Sequence, residues 1–374
     1  MSTCHMHSHL KQTTLIKMLS KRKMRNSIIQ EDVEFITNND LEWKSLKNKV
    51  VLISGATGFL ASYMVDVLLY LNETYDYNIT IIALVRDTQK MRERFTYSLD
   101  KSYLIIKEYD LSYSGLEIDE DIDIIIHTAS NATPKLFGQD PVGTILPNVV
   151  GTNTLLELAN KKRVENFLYF STSGVYGHMQ EHNYPVKEDC FGYLDSMDVS
   201  SSYLESKRLG ETLCSAYLHQ YNIPIKVIRP AITYGPGIKE NDGRSFADFM
   251  WSIVNKKNIE LYSDGLVLRN FCYISDAVSG FFYILFNAKI GEAYNIASEE
   301  DISIRDLAYK LTKETFKERA LDVEFKCDFS KNFMRKQFDR TTVDTSKARA
   351  LGWKIEHSLD EGFQRAVASI EREI

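Results

Sequence analysis

The chain of 374 residues is 44% hydrophobic and 26% charged, which is typical of a globular protein. Its formal net charge of −6 argues against a nucleic-acid-binding protein, because such domains usually carry a basic excess. No apolar run approaches the roughly 18 residues of a membrane span, and five scattered cysteines without a CxxC pair argue against a disulfide framework. We therefore expect a soluble, cytoplasmic protein that binds neither nucleic acid nor membrane.

The N-terminal segment, residues 1–46, differs from the rest because its first thirty residues contain Lys and Arg but no Asp or Glu. Three interpretations are open: a flexible basic arm, an added helix, or a targeting peptide, although no apolar core of a secretory signal follows the charges. His5, His7 and His9 alternate in a way that could catch a metal adventitiously. We predict no physiological metal site.

A glycine-containing loop, residues 55–61, follows the first predicted strand, 49–54, and precedes a helix predicted over 62–71. A strand, a glycine turn and a helix in this order direct backbone N–H groups and the positive end of the helix dipole to one point, which suits a pyrophosphate. A purely structural turn is the alternative. We predict a dinucleotide site, in which Gly55 permits the tight turn and Gly58 lets the phosphates approach the backbone. Its predicted contacts in this phosphate loop are Gly55, Thr57, Gly58, Phe59 and Leu60.

The end of the second predicted strand, 79–85, bears on the choice between NAD and NADP. An acidic residue at this position binds the ribose 2′-hydroxyl of NAD, whereas an Arg accommodates the 2′-phosphate of NADP. Arg86 stands at the expected position and Asp87 follows it. The cofactor is therefore predicted to be NAD or NADP, with Arg86 slightly favouring NADP, and a solvated Arg in a loop is the alternative.

The third predicted strand ends just before Asp110, and the fourth ends at about residue 126. Small residues after the second of them leave room for a cofactor beyond the carboxyl ends of parallel strands. Asp110 would either bond an adenine edge or cap a turn, and His127 is more typical of a packed histidine than of a catalytic one. The predicted cofactor contacts in these two segments are Asp110, Leu111, Thr128, Ala129 and Ser130.

The candidate catalytic groups follow the fifth predicted strand, 167–170, which runs into a turn containing Thr172, and a later predicted helix carries Tyr203 and Lys207. Residues four apart lie on one face of a helix. A phenol with a pKa of about 10 is a poor base at neutral pH, but a nearby ammonium and a nicotinamide's positive charge favour the phenolate. Tyr203 could then remove a proton from a substrate hydroxyl that Thr172 hydrogen-bonds, while Lys207 also holds the nicotinamide ribose. Tyr203 and Lys207 are therefore predicted cofactor contacts as well. Thr172, Tyr203 and Lys207 are the predicted catalytic residues, and a solvated helix face is the alternative for the Tyr203/Lys207 pair.

With these motifs in this order, the chain resembles the extended short-chain dehydrogenases/reductases, the NAD-dependent epimerase/dehydratase family that acts on nucleotide sugars. The resemblance runs from about residue 50 to about residue 370. The motifs that carry it are Gly55-x-x-Gly58-x-x-Ala61, Asn148-x-x-Gly151-Thr152, Ser171-Thr172-Ser173-x-Val175-Tyr176-Gly177, Tyr203-x-x-x-Lys207, Arg229-Pro230 with Tyr234-Gly235-Pro236, Asp264-Gly265-x-x-x-Arg269-Asn270-Phe271-x-Tyr273-x-x-Asp276, Tyr294-Asn295-Ile296, Asp344-x-Ser346-Lys347-Ala348 and Leu351-Gly352-Trp353.

The resemblance implies an α/β fold: a Rossmann doubly wound parallel sheet with a smaller C-terminal α/β substrate lobe. It implies a cofactor and catalytic domain over 47–230 and a mainly substrate-binding lobe over 231–374, with some chain returning to the Rossmann sheet. A nucleoside-diphosphate sugar is expected in the cleft between them, and a homodimer through two helices of each copy. Surface ion pairing is the alternative role for the arginines. The predicted substrate-binding residues are Ser173, Gly174, Arg244, Arg269 and Arg340.

The choice of reaction depends on the turn around Gly174. Sugar 4,6-dehydratases of the family carry T-D-E and UDP-glucuronate decarboxylases S-T-S-E before V-Y-G, so this chain lacks those carboxylates. Epimerases need none there, and we expect an epimerase with Tyr203 as acid/base. A net oxidoreductase, a decarboxylase, a dehydratase and a non-enzymatic cofactor sensor are the alternatives. Ile232 stands where the family usually has an Asn that helps to hold the phosphates.

Overall fold

The computed structural model describes residues 25–326 and 340–373. The basic arm up to residue 24, with its three histidines, lies outside the described residues. Within them, no helix is long and apolar enough to cross a membrane.

Twelve strands and eleven α-helices make up the regular structure of the described chain. The strands are β1 (Val50–Ser54), β2 (Thr80–Val85), β3 (Leu104–Glu108), β4 (Ile124–His127), β5 (Asn166–Phe170), β6 (Ile225–Pro230), β7 (Ile232–Tyr234), β8 (Ile259–Leu261), β9 (Leu268–Tyr273), β10 (Ala293–Ile296), β11 (Asp301–Ser303) and β12 (Val323–Phe325). The helices are α1 (Ser27–Thr37), α2 (Phe59–Tyr75), α3 (Thr88–Arg94), α4 (Pro134–Gln139), α5 (Pro141–Lys162), α6 (Ser202–Tyr221), α7 (Ser245–Val254), α8 (Ile274–Asn287), α9 (Ile304–Lys310), α10 (Ser346–Arg349) and α11 (Leu359–Glu371).

The main sheet has seven parallel strands in the order β10-β6-β5-β4-β1-β2-β3. Its central strands are buried runs of Val, Ile and Leu, as expected for a parallel sheet covered by helices on both faces. The strand order reverses between β1 and β4, and ligands of such sheets bind beyond the carboxyl ends at this point. The prediction of a doubly wound Rossmann sheet is confirmed.

The chain after β6 forms two small sheets, β11-β9-β7 and β12-β8, and returns β10 to the main sheet. The main sheet therefore contains strands from both sides of the boundary predicted at residue 230, and the domain division stays a prediction. Helix α2 begins at Phe59 rather than at the predicted residue 62, because Gly58 is its N-cap and the helix takes in the end of the phosphate loop.

Helix α1 is attached to the core through the carboxylate of Asp32, which is fully buried. This carboxylate accepts hydrogen bonds from Tyr63 of α2 at 3.1 Å, from Tyr273 of β9 at 2.9 Å and from Arg365 of α11 at 2.7 Å. The contact joins the beginning of the described chain to its end.

Candidate active site

The phosphate loop turns tightly between β1 and α2. Gly55 has φ +67°, and a Cβ on it would lie 2.8 Å from the Cα of Ala129, so only glycine fits against the chain after β4. The Gly58 amide donates to the Gly55 carbonyl at 2.7 Å, and α2 begins at the next residue. The amino end of α2 therefore points to the reversal of strand order between β1 and β4, where an anionic group is favoured.

His127 holds the ends of β1 and β4 together. Its Nδ1 bonds the Ser54 hydroxyl at 2.8 Å and its Nε2 bonds the Thr152 hydroxyl at 2.9 Å. Burial lowers the pKa of His127 well below its usual value, with a smaller contribution from Lys207. The ring is thus a neutral, packed histidine, and the Thr128 hydroxyl reinforces the junction by donating to the Ser54 carbonyl at 2.5 Å.

A cleft of about 1330 Å³ lies along the phosphate loop and the carboxyl ends of the central strands. The volume, the glycine turn that a Cβ would fill and the exposed start of α2 fit a dinucleotide. Leu60 does not line the cleft and packs against the core instead. Most of the predicted cofactor contacts line it: Gly55, Thr57, Gly58, Phe59, Arg86, Asp110, Leu111, Thr128, Ala129 and Ser130.

At the end of β2, Arg86 lines this cleft, whereas the carboxylate of Asp87 caps the following helix. Arg86 is exposed and donates to the side chain of Asn131 at 3.0 Å. Asp87 is the N-cap of α3 and accepts from the backbone amides of Gln89 at 3.0 Å and Lys90 at 3.1 Å. These hydrogen bonds from the backbone hold the pKa of Asp87 below its usual value. The carboxylate is therefore already engaged by α3.

Asp110 both lines the cleft and shapes the turn after β3. Its carboxylate accepts from the Ser112 amide at 2.8 Å, which is the capping role foreseen for it. The second role foreseen, a bond to an adenine edge, stays a prediction.

Thr172, Tyr203 and Lys207 come together at the carboxyl end of β5. Thr172 lies close enough to the Tyr203 phenol to lower its pKa, and the Thr172 hydroxyl accepts from the Gly174 amide at 3.2 Å. Lys207 lies one turn along α6 from Tyr203, is 2% exposed, and donates to the Phe170 carbonyl at 2.7 Å. The arrangement places a phenol, a hydroxyl and an amine at one strand end, although none of the three lines the cofactor cleft.

The surroundings of this group shift its acidities in opposite directions. Burial raises the pKa of Tyr203 to about 12, against the hydrogen bond to Thr172 and the charge of Arg244, which lower it. Burial lowers the pKa of Lys207 to about 7. A buried amine of this kind protonates readily beside a developing negative charge, so it can stabilise a Tyr203 phenolate.

The three candidate phosphate arginines occupy different places. Arg269 and Arg340 belong to neighbouring chain segments, because Leu268 forms a β-bridge with Arg340. The Arg340 guanidinium is held by Asp301 at 2.6 Å and Glu181 at 2.8 Å, so two carboxylates balance its charge. The structure therefore groups the segment of Arg269 with that of Arg340.

Arg244, the third, precedes α7 and lies near enough to Tyr203 to influence the acidity of its phenol. It forms an ion pair with Asp242, with Nη2 and Oδ2 2.7 Å apart, and stacks on the ring of Phe246. Its charge therefore acts on the phenol of the predicted acid/base residue.

Comparison with known proteins assigns the family. The model of the NAD dependent epimerase/dehydratase family matches residues 51–297, about two thirds of the chain. The chain belongs to this family. The predicted family and the prediction of an NAD-dependent enzyme of this class are confirmed.

The similar sequences of this family member include UDP-glucuronic acid decarboxylases. Decarboxylase 4 of Arabidopsis thaliana is 30% identical over 332 residues, which cover 88% of this chain and 70% of the relative. Decarboxylase 1 of Danio rerio is 28% identical and covers 91% of this chain and 76% of the relative.

Solved structures similar to this epimerase/dehydratase-family chain include epimerases. A UDP-glucuronic acid 4-epimerase from Bacillus cereus in complex with NAD has a TM-score of 0.69 at 26% identity and covers 86% of this chain and 96% of its own. A UDP-glucose 4-epimerase from Thermotoga maritima with UDP-glucose has a TM-score of 0.73 at 20% identity, covers 87% of this chain and 99% of its own, and supports the fold alone.

Two predicted substrate contacts, Ser173 and Gly174, begin the turn after Thr172. Gly174 and the side chain of Leu204 form an apolar wall there. A Cβ on Gly174 would lie 2.4 Å from a methyl group of Leu204, so a larger residue needs that side chain to move. Leu204 forms a small apolar cluster with Leu194 and the ring of Tyr203. The place of the missing carboxylate is thus taken by leucine.

Sequence reasoning missed two side chains that contact the ring of Tyr203. Leu204 directly follows Tyr203, but an apolar residue in a helix carries no functional signal by itself. Phe137 of α4 stacks on the Tyr203 ring, and an aromatic residue in the mainly polar stretch after β4 was the only hint of it.

Proposed function

We propose that this protein is a nucleotide-sugar epimerase that works by transient oxidation of a sugar hydroxyl, with Tyr203 as the acid/base group. The observation that carries the proposal is the complete Thr172/Tyr203/Lys207 group beside an apolar wall at Gly174 and Leu204. Oxidation of a sugar hydroxyl and return of hydrogen to the opposite face need the Thr172/Tyr203/Lys207 group. A dehydratase or decarboxylase of the family needs a carboxylate in the turn at Gly174. Uridine is the base that the relatives and solved structures suggest, because their names specify UDP-sugars.

The phosphate loop and the ends of β1, β2 and β4 would hold the nicotinamide cofactor, which when bound accepts hydrogen from the sugar and returns it. The residues of the chain perform the proton transfers. Tyr203 takes the hydroxyl proton as the sugar C–O bond becomes a ketone and gives it back when the alcohol re-forms. Thr172 orients the same oxygen, and Lys207 favours the phenolate during the transfer.

We propose that the cleft accepts the 2′-phosphate of NADP as well as NAD. Arg86 is exposed at the end of β2, and Asp87, the carboxylate that would prefer a free ribose diol, caps α3. Titration of the cofactor-free protein with both dinucleotides tests this. NADP binding should weaken in Arg86→Ala while NAD binding stays unchanged, and equal losses for both would refute a 2′-phosphate contact.

The second candidate is decarboxylation of a nucleotide-linked uronic acid. Two observations favour it: the decarboxylases among the relatives and the position of Arg244 near Tyr203, where a guanidinium could hold a sugar carboxylate. A 4-keto uronic acid is a β-keto acid and loses CO₂ unless the site prevents it. Incubation with UDP-glucuronic acid distinguishes the two, because epimerisation keeps six sugar carbons and decarboxylation leaves five.

We also propose a homodimer through α5 and α6. The two helices pack against each other, with Tyr217 donating to Asn153 at 2.9 Å. Both expose apolar side chains: Val142 is 62% and Leu209 is 45% exposed. Such side chains on adjacent helices favour contact with a second copy over contact with water.

A further inference from the structure

Helix α4 lies over the ring of the catalytic tyrosine. Among the described side chains of residues 131–140, Phe137 alone is buried, with 7% of its surface exposed. Its ring is parallel to that of Tyr203 within 5°, and the ring centroids are 4.7 Å apart. The helix therefore contacts the beginning of α6 through this pair of rings and through the Ser202 hydroxyl, which donates to the Phe137 carbonyl at 3.4 Å.

We propose that Phe137 is a positioning residue that holds the plane of the Tyr203 ring and keeps water from one of its faces. The inference rests on the proposed function only in taking Tyr203 as the acid/base group. A ring stacked on its face hinders the phenol from swinging about the Cα–Cβ bond, which is the rotation that moves its oxygen, and aromatic pairs are attractive beyond the area they bury. The direction of the phenol oxygen is thereby fixed before a substrate arrives.

The remaining contacts of Tyr203 explain why this ring matters. Thr172 lies beside its phenol, and its ring also packs against Leu194 and Leu204. Phe137 thus adds a third apolar contact to a half-buried ring whose phenol must gain and lose a proton. Opening one face to water would give the phenol freedom to swing and would solvate its charged form.

The first test compares Phe137→Leu, which keeps an apolar side chain of similar size, with Phe137→Tyr, which keeps the stacked ring. A matched control is Leu136→Ala on the same short helix. We expect Phe137→Leu to lower kcat by about tenfold with little change in KM. Water at the open face should also lower the pKa of the phenol, so the rising limb of the kcat–pH profile moves to lower pH. Phe137→Tyr should restore both, and Leu136→Ala should change neither.

A second test needs no turnover and therefore separates this inference from the proposed function. Tyrosine labelled with ¹³C in the ring gives a Tyr203 resonance that is assigned by its loss in Tyr203→Phe. A stacked ring shifts this resonance by its ring current, so Phe137→Leu should move it and Leu136→Ala should not. An unmoved resonance in Phe137→Leu, or an unchanged kcat and pH profile, would overturn the positioning role. Absence of epimerase activity in the wild type would refute the proposed function while leaving the resonance test decisive.

Discussion

At the scale of single residues, the proposed catalytic group, Thr172, Tyr203 and Lys207, includes a lysine whose charged form is disfavoured by burial. Lys207 is 2% exposed, and its amine bonds a backbone carbonyl rather than a carboxylate. Burial lowers the pKa of this amine to about 7 from the 10.5 of an unhindered lysine. The Lys207 amine of the folded protein therefore loses its proton at a pH at which the same amine of the unfolded chain keeps it.

This difference predicts a pH dependence of stability. Between pH 7 and pH 10.5 the unfolded chain binds a proton at Lys207 that the folded chain does not, so the free energy of unfolding rises with pH in this window. Urea unfolding of the cofactor-free protein at pH 7 and pH 9 measures it. The free energy of unfolding of the wild type, relative to that of Lys207→Met, should increase by about 2 kcal/mol from pH 7 to pH 9. A difference independent of pH would contradict the buried, neutral amine.

The role of Tyr203 predicts a specific loss on removal of its hydroxyl. Tyr203→Phe should lower turnover of the nucleotide sugar by about 10²- to 10⁴-fold, the usual contribution of a general acid/base, while cofactor binding is retained. Tyr217→Phe, on the same helix, is the matched control because its hydroxyl bonds Asn153 outside the catalytic group. Equal activities of the two variants would remove Tyr203 from the mechanism.

At the scale of elements, α1 is held by a buried ion pair rather than by local sequence. Asp32 is fully buried and is paired with Arg365 of α11, whereas its neighbour Glu31 contacts the same arginine from the exposed side. Removal of the Asp32 carboxylate leaves the buried hydroxyls of Tyr63 and Tyr273 without their acceptor, whereas Arg365 keeps Glu31 and partial exposure to water. An exposed ion pair contributes little.

The element-scale prediction compares these two carboxylates. Asp32→Ala should lower the free energy of unfolding by about 2 to 5 kcal/mol, because two buried hydroxyls lose their acceptor, and Glu31→Ala by less than about 1 kcal/mol. Urea unfolding with cofactor present measures both. If the two variants lose the same stability, α1 is not anchored through Asp32.

Elements that are formed by neighbouring residues could be predicted from the sequence, and contacts between distant residues could not. The phosphate loop was predictable because β1, the glycine turn and α2 are adjacent in the chain, and Tyr203 and Lys207 because one helical turn joins them. The pairing of Asp32 with Arg365 and the stacking of Phe137 on Tyr203 join residues distant in sequence. Such contacts follow from the tertiary packing, which local patterns do not encode.

At the scale of the whole molecule, exposed apolar residues on α5 and α6 predict self-association. Leu209→Lys should convert a dimer of about twice the chain mass into a monomer, because the lysine charge would be buried at the interface. Ile290→Lys is the control, since Ile290 is similarly exposed but lies outside these helices. Light scattering measures the mass, and a monomeric wild type would contradict the proposed interface.

The most direct test of the account follows the hydrogen on the sugar. UDP-glucuronic acid that carries deuterium at C4 is incubated with the purified protein, and the product is examined by NMR. Transient oxidation with return to the opposite face predicts the C4 epimer with deuterium retained at C4 and all six sugar carbons present. A five-carbon product with released CO₂ would replace the epimerase by a decarboxylase, and an unchanged substrate with every UDP-sugar tried would contradict the proposed function.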